Sequence, residues 1–245
     1  MISVESAHLS FAHNDAVNSV LENISFHIEP QQSCAIIGPS GCGKTSLLFL
    51  LAGLLQPDSG RITLKANLHC GTILQNFGLF PWKTVYQNIA LGLLLKGNER
   101  NFIKSRVDHL IDEMGLSGFD SHYPGQLSGG MQQRVALARA LAIDPEVLFM
   151  DEPLSSLDAL TRERLQALIL ELWHKKNITT VLVTHSIEEA VFLGQRIIVL
   201  SGRPGRILKI VENSQAGDNS YRQSEKFFQQ CISLRNLLQE EYNGQ

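Results

Sequence analysis

The sequence predicts an α/β fold. A core of buried strands and helices carries an antiparallel β subdomain ahead of it and a helical insert within it. Three observations carry this expectation. The apolar runs Cys34–Ile37 and Val147–Met150 read as buried strands, and the β-branched stretch Ile178–Val183 reads as a further strand. Before them, Ile2, Val4 and Leu9, then Ile24, Phe26 and Ile28, alternate as half-buried strands do, with a turn at Asn14-Asp15. Residues 84–119 carry helical patterning, Val85 to Leu95 and Asn101 to Met114, split by the turn Lys96-Gly97-Asn98.

The first core strand runs into Gly38-Pro39-Ser40-Gly41-Cys42-Gly43-Lys44-Thr45 and then a buried apolar helix beginning Ser46-Leu47-Leu48. Strand, G-x-x-x-x-G-K-[ST] and helix together make a phosphate-binding loop. Its three glycines let the backbone turn its N–H groups toward phosphate oxygens. The helix N-terminus adds its positive end. Lys44 supplies a charge for the β- and γ-phosphates, and the Thr45 hydroxyl suits Mg²⁺. The chain is therefore expected to bind a nucleoside triphosphate.

Downstream, Pro57-Asp58-Ser59-Gly60 is a turn, Arg61–Leu64 a short strand, and Gly71–Gln75 a strand ending in a polar residue. The loop Asn76–Trp82 is crowded with aromatics, which in exposed loops mark an interface; the competing reading tucks it into its own core. Leu127–Arg134 (LSGGMQQR) leads into an alanine-rich helix, with Ser128 as N-cap and Gly129 and Gly130 leaving N–H groups open to an anion. Val147–Met150 ends in Asp151-Glu152-Pro153. An acidic pair at the end of a core strand is costly unless it meets a cation. Asp151 suits Mg²⁺, and Glu152 suits polarising a water. Ser155-Ser156-Leu157-Asp158 is a polar turn before an amphipathic helix, Thr161 to Lys175. The strand Ile178–Val183 delivers His185 to the edge where the other chemical groups gather. Ser186–Glu189 reads as a capping box. Strands are expected at Arg196–Leu200 and Ile207–Val211, a polar flexible stretch at Glu212–Asn219, and a helix at 221–242.

Composition narrows the function class. The chain has 245 residues, 44% hydrophobic and 18% charged. That charged share is below the ~25% typical of soluble domains, which suggests surface covered by a partner. A net charge of −3 gives no general attraction to nucleic acid or anionic lipid. The four cysteines show no metal-ligand spacing and read as free thiols. No signal peptide is read at the start, and the apolar run Leu47–Leu55 falls short of the ~20 residues a membrane helix needs.

As an ordered set these motifs resemble the ATP-binding subunit of an ABC transporter, over about residues 1–211. The resemblance implies a P-loop NTPase (RecA-like) core with an N-terminal antiparallel β subdomain. An α-helical subdomain is inserted at about 84–140, and a short helical extension occupies 212–245. It implies ATP and Mg²⁺ as ligands. Gly38, Pro39, Ser40, Gly41, Cys42, Gly43, Lys44, Thr45 and Ser46 would hold the nucleotide. Thr45, Gln75 and Asp151 would serve the metal. Glu152, His185 and Gln75 would be catalytic. Leu127–Arg134 is similar to the family's signature motif and Ser155–Asp158 to its D-loop. A second copy would pair head to tail, so that Ser128, Gly129 and Gly130 touch an ATP held by the partner. His13 stands where the family's adenine-stacking tyrosine lies; Phe11 is the alternative.

The resemblance further implies a transmembrane permease docking near Phe77–Tyr86, and a site at the cytoplasmic face of the membrane. Leu79–Val85, Ser186–Leu193 and Arg203-Pro204-Gly205-Arg206 resemble the nitrate/sulfonate/taurine importer subgroup, which works with an extracytoplasmic solute-binding protein. The C-terminal stretch is too short for the regulatory domain of some importer ATPases. A soluble ABC ATPase acting on nucleic acid or ribosomes is the alternative; the absence of basic charge and of long coiled-coil insertions argues against it, and no nucleic-acid partner is expected. A small-molecule kinase would have no use for the Leu127–Arg134 string. A catalytically dead regulator would not need Lys44, Asp151, Glu152 and His185 together.

Overall fold

A computed structural model describes residues 2–13, 16–155 and 157–243. The chain forms two compact units, residues 1–67 with 166–245, and residues 68–165.

In the first unit, β1 (Ile2–His13) pairs antiparallel with β2 (Ala16–Ile28) and with β4 (Ser59–Leu64). Ile2, Val4, Ala7 and Leu9 are buried. The step from even to odd positions coincides with a register shift between Val4 and Ala7, where Ser6 takes φ 45°. β2 is longer than the expected Ile24–Ile28 stretch. Its first half lacks alternation: Val17 is exposed while Val20 and Leu21 are both buried.

β3 (Ser33–Ile37) runs parallel between β7 (Thr179–Val183) and β8 (Arg196–Leu200). All residues of β3 and β7 are buried; Cys34–Ile37 and Val181–Val183 are apolar, and the buried hydroxyls of Thr180 and Ser33 bond each other (2.9 Å). Each large side chain so buried contributes ~1.5–3 kcal/mol before the entropy of ordering it is subtracted. β9 (Ile207–Glu212) closes this edge antiparallel to β8. α1 (Lys44–Leu51) buries Leu47, Leu48, Leu50 and Leu51.

The stretch from Glu212 to Asn219, expected to be polar and flexible, is pinned. Asn213 is buried and its amide donates to Val191 O (2.7 Å) and Gly194 O (3.1 Å), and Ala216 is buried too. Here composition misleads, because one polar side chain satisfied by two carbonyls replaces apolar burial. The helix expected at 221–242 is two: α7 (Asn219–Arg222) and α8 (Glu225–Asn243). α8 packs on α6 (Ile187–Leu193) and buries Phe227, Cys231 and Leu234.

In the second unit, β5 (Cys70–Ile73) runs parallel to β6 (Val147–Asp151). α2 (Val85–Leu95), α3 (Arg100–Glu113) and α4 (Gly129–Ala142) pack on one another, and α4 also on β5. Thr84 starts α2 with a full capping box: its hydroxyl accepts from Gln87 N–H (3.3 Å) and its N–H donates to Gln87 Oε1 (3.0 Å). α5 (Ala159–Lys176) carries the chain back to the first unit.

Candidate functional site

The first group of candidate residues leaves the C-terminal ends of β3 and β7, where parallel α/β sheets present their ligand sites. Ile36 pairs with Val183, so two residues on Gly38 and His185 emerge from the same edge. The loop 38–43 is shaped by steric limits. A Cβ on Gly38 would lie 2.9 Å from Cys42 Sγ and 3.0 Å from Leu200 O. Gly43 takes φ 101°, and a Cβ there would lie 2.9 Å from both Val20 and Leu21. Gly41 takes φ 77° with open space around it. Lys44 opens α1, is 7% exposed, and donates through Nζ to Gly38 O (2.9 Å) and Pro39 O (2.8 Å). Its charge thus hangs over its own loop. Cys42 is buried, and that burial pushes its thiol pKa up; Cys34, in β3, is pushed up to about 12 for the same reason. Neither thiol is a nucleophile at neutral pH.

His185 is exposed, and the turn that carries it is built from residues the sequence did not single out for it. The buried Thr184 hydroxyl donates to Glu189 Oε2 (2.7 Å) and accepts from Ser186 N–H (3.0 Å). Ser186 Oγ accepts from Glu189 N–H (3.2 Å). Only half the expected capping box forms, because the Glu189 carboxylate turns to Thr184. Sequence spacing marks Glu189 only as a capping-box partner of Ser186; its burial against Thr184 is set by packing.

The second group lies in the other unit. β6 is fully buried and carries Asp151 (2% exposed) at its end. Glu152 follows with φ 46°, a left-handed conformation that side-chain-bearing residues avoid unless held there. Gln75, past the end of neighbouring β5, donates through Nε2 to Glu152 Oε2 (3.2 Å). The sequence placed these two residues at strand ends; their direct contact comes from the parallel pairing of β5 and β6.

α4 locks this group from behind. Its buried Gln133 donates to Pro153 O, one residue after Glu152. Its Arg139 donates to Gly78 O (2.6 Å) and Phe77 O (2.9 Å), and burial lowers that guanidinium's pKa. In the sequence Gln133 belongs to the Leu127–Arg134 string and Arg139 to the alanine-rich helix, and neither position points to a contact of its own. At the opposite end, Ser128 caps α4 by accepting from Met131 N–H (3.4 Å), and Ser128 and Gly129 are exposed. A Cβ on Gly130 would come within 2.8 Å of Thr161 Cγ2.

The aromatic loop divides between its two readings. Phe77 is buried, Phe80 half-buried and Trp82 70% exposed, with Phe80 and Trp82 edge to face at 5.5 Å. The fully buried Asn88 holds the loop, accepting from Phe80 N–H (2.9 Å) and donating to Phe80 O, Lys83 O and Thr84 O. Beside it opens a groove of about 340 Å³ lined by Phe80, Leu91, Leu95, Arg139 and Ile143.

Asp158 caps α5, accepting from Thr161 N–H (3.0 Å). Hydrogen bonds from the Thr161 hydroxyl and N–H hold its carboxyl below the ordinary 3.8. A depressed folded pKa stabilises above the unfolded value and is lost as pH falls through the folded one. Asp158→Ala is therefore expected to lower the melting temperature at pH 7, with the gap to wild type closing in strong acid. A gap that persists undiminished in strong acid would show that the cap contributes nothing through its charge. Ser156 lies outside the described residues, as do the Asn14-Asp15 turn and the side chain of His13. Phe11, the other candidate for stacking on adenine, is 44% exposed.

The donor set fits a nucleotide and a hard cation. The glycine loop admits backbone where Cβ atoms would clash, the lysine charge is held at that loop, and hydroxyl and carboxylate oxygens are what Mg²⁺ takes. Among the described residues, no cluster of three or more His, Cys, Asp or Glu side chains could hold a metal. Mg²⁺ is ordinarily held by one or two carboxylates plus phosphate, so such a cluster is not required.

Fold and motifs together define a P-loop ATP-binding cassette. The ABC transporter family profile matches residues 21–155, and the chain belongs to that family. It is similar to the taurine import ATP-binding protein TauB of Ruegeria pomeroyi, 45% identical over 215 residues, covering 85% of this chain and 80% of that protein. It is 42% identical over 249 residues to the aliphatic sulfonates import ATP-binding protein SsuB of Bacillus cereus, covering 99% of this chain and 97% of that one. Among solved structures it resembles the dimeric post-hydrolysis state of the ATP-binding cassette MJ0796 bound to ADP and Pi. The TM-score is 0.78 at 29% identity, over 86% of this chain and 98% of that one. The chain is an ATP-hydrolysing subunit coupled to transport.

Proposed function

We propose that this chain powers import of a small solute of the nitrate, sulfonate or taurine type through a membrane permease. ATP closes a head-to-tail pair of copies and hydrolysis opens it. The observation that carries this reading is likeness along nearly the whole chain to a sulfonate import ATP-binding protein.

Each candidate residue then has a task. Gly38 to Ser46 wrap the phosphates with backbone N–H groups, and Lys44 leaves its own loop carbonyls to neutralise the β- and γ-phosphates. Thr45, Gln75 and Asp151 would hold Mg²⁺ through their oxygens, and the ion would neutralise charge on the phosphates. Glu152 polarises the attacking water, oriented by Gln75. His185, held by the Thr184–Glu189 turn, contacts the γ-phosphate. His13, or else Phe11, stacks on adenine. Ser128 and Gly129 stand exposed at a helix start, and with the half-buried Gly130 they close the partner copy's ATP.

The permease docks near Phe77–Tyr86, where Trp82 is exposed beside an apolar groove. Among the described residues no helix is long and apolar enough to cross a membrane. The chain sits at the cytoplasmic face through the permease, and an extracytoplasmic solute-binding protein feeds the system. The reading of an ABC ATPase acting on nucleic acid or ribosomes is not favoured, since the relatives named above are import subunits.

A strain lacking this chain, offered taurine, an alkanesulfonate or nitrate as sole sulfur or nitrogen source, tests the proposal. Growth should fail on at least one and return with the chain restored. Undiminished growth on all three would overturn the solute class. Failure to co-purify with a hydrophobic permease from detergent-solubilised membranes would overturn the coupling.

A further inference from the structure

The turn Arg203-Pro204-Gly205-Arg206 has no task in the reaction as described above. It joins β8 to β9, far along the chain from the phosphate loop, yet it presses on that loop's back. A Cβ on Gly205 would lie 2.3 Å from Cys42 O and 3.2 Å from Leu21 Cδ2. Glycine is required here by the approach of another backbone.

The turn is fastened on three sides. Gly205 N–H donates to Val20 O (2.8 Å), and Gly205 O accepts from Glu22 N–H (3.0 Å). Ser201 Oγ accepts from Arg206 N–H (2.8 Å), and its one hydroxyl proton lies between Gly202 O (2.9 Å) and Pro204 O (3.1 Å), all within the turn. Gly202 N–H donates to Glu241 Oε1 of α8 (3.2 Å).

We propose that Gly205 is a positioning residue for phosphate binding: it fixes the Cys42–Gly43 peptide so that the Gly43 N–H faces the nucleotide. This rests on the ATP reading of the loop. A trans peptide points its C=O and N–H in opposite directions. Gly205 stands against the Cys42 carbonyl, so the Gly43 N–H of the same peptide is aimed away from the turn. On the other side, a Cβ on Gly43 would lie 2.9 Å from the side chains of Val20 and Leu21, which the turn's bonds to Val20 O and Glu22 N–H flank, so the backbone at Gly43 is confined as well. The peptide plane is gripped at both ends, and rotating it would cost the loop a phosphate donor.

Calorimetric titration with Mg-ADP tests this, with thermal melting of the nucleotide-free protein alongside. Gly205→Ala should weaken ADP binding at least about tenfold. The matched control is Gly97→Ala, at an open turn with φ 73°. It should lower the melting temperature while leaving ADP affinity within about twofold. A folded Gly205→Ala protein with wild-type affinity overturns the proposal. If that variant does not fold, Ser201→Ala loosens the turn without adding an atom and should weaken ADP about threefold. A lowered melting temperature with unchanged affinity in Ser201→Ala likewise overturns it. If the wild type takes up no nucleotide, the ATP reading itself falls, and this proposal with it.

Discussion

Glu152→Gln is expected to lower ATP turnover by about a hundredfold or more while ATP binding survives. The substitution keeps shape and hydrogen-bonding reach but removes the basic oxygen. Nothing in the surroundings should move: Glu152, at φ 46°, follows the paired strand β6 and is tied on its far side through Ser155 N–H to Glu152 O (3.3 Å) and Gln133 to Pro153 O. Gln75, 3.2 Å away, can bond a glutamine oxygen as well as a carboxylate. With hydrolysis blocked, the closed pair of copies should accumulate and elute as a dimer in Mg-ATP. A variant that hydrolyses normally and stays monomeric would overturn both the role of Glu152 and the closure mechanism.

Lys44→Ala should abolish measurable ATP binding while the fold persists. The lysine is 7% exposed and already aligned over its loop, so little of its binding energy goes to ordering it. Charge-assisted hydrogen bonds contribute ~1.5–3 kcal/mol each, so losing two to phosphate costs about a hundredfold or more. Alanine is a good first residue for α1, and the loss of bonds to Gly38 O and Pro39 O is a modest stability cost. Circular dichroism should match wild type while calorimetry detects no ATP. Undiminished binding would remove the phosphate loop from the nucleotide site.

Much of the architecture was legible because its strands are short and apolar on both faces. Cys34–Ile37 and Val147–Met150 announce themselves as buried parallel strands, and the helix Val85–Leu95 is recovered with its expected bounds. Legibility fails where burial is achieved by hydrogen bonding. Asn213 sits in a polar stretch, yet two carbonyls make it part of the interior. Gln133 and Arg139 are polar letters on α4, yet Gln133 satisfies Pro153 O and Arg139 satisfies Gly78 O and Phe77 O, next to candidate catalytic segments. A polar residue's letter does not say whether it faces water or a carbonyl.

The same division runs through the candidate site. Its chemical inventory is readable from the residues alone: a lysine after a glycine loop, an acidic pair ending a strand, a histidine ending another, and a capped helix start at Ser128. Those follow from local spacing along single elements. That Gln75 reaches Glu152, that the Glu189 carboxylate meets Thr184, and that Gly205 bears on the Cys42 carbonyl come from packing. Each joins segments through strand pairing or close backbone approach. Register and side-chain choice among competing partners are settled by packing, where a shift of one residue or one Cβ changes which groups meet.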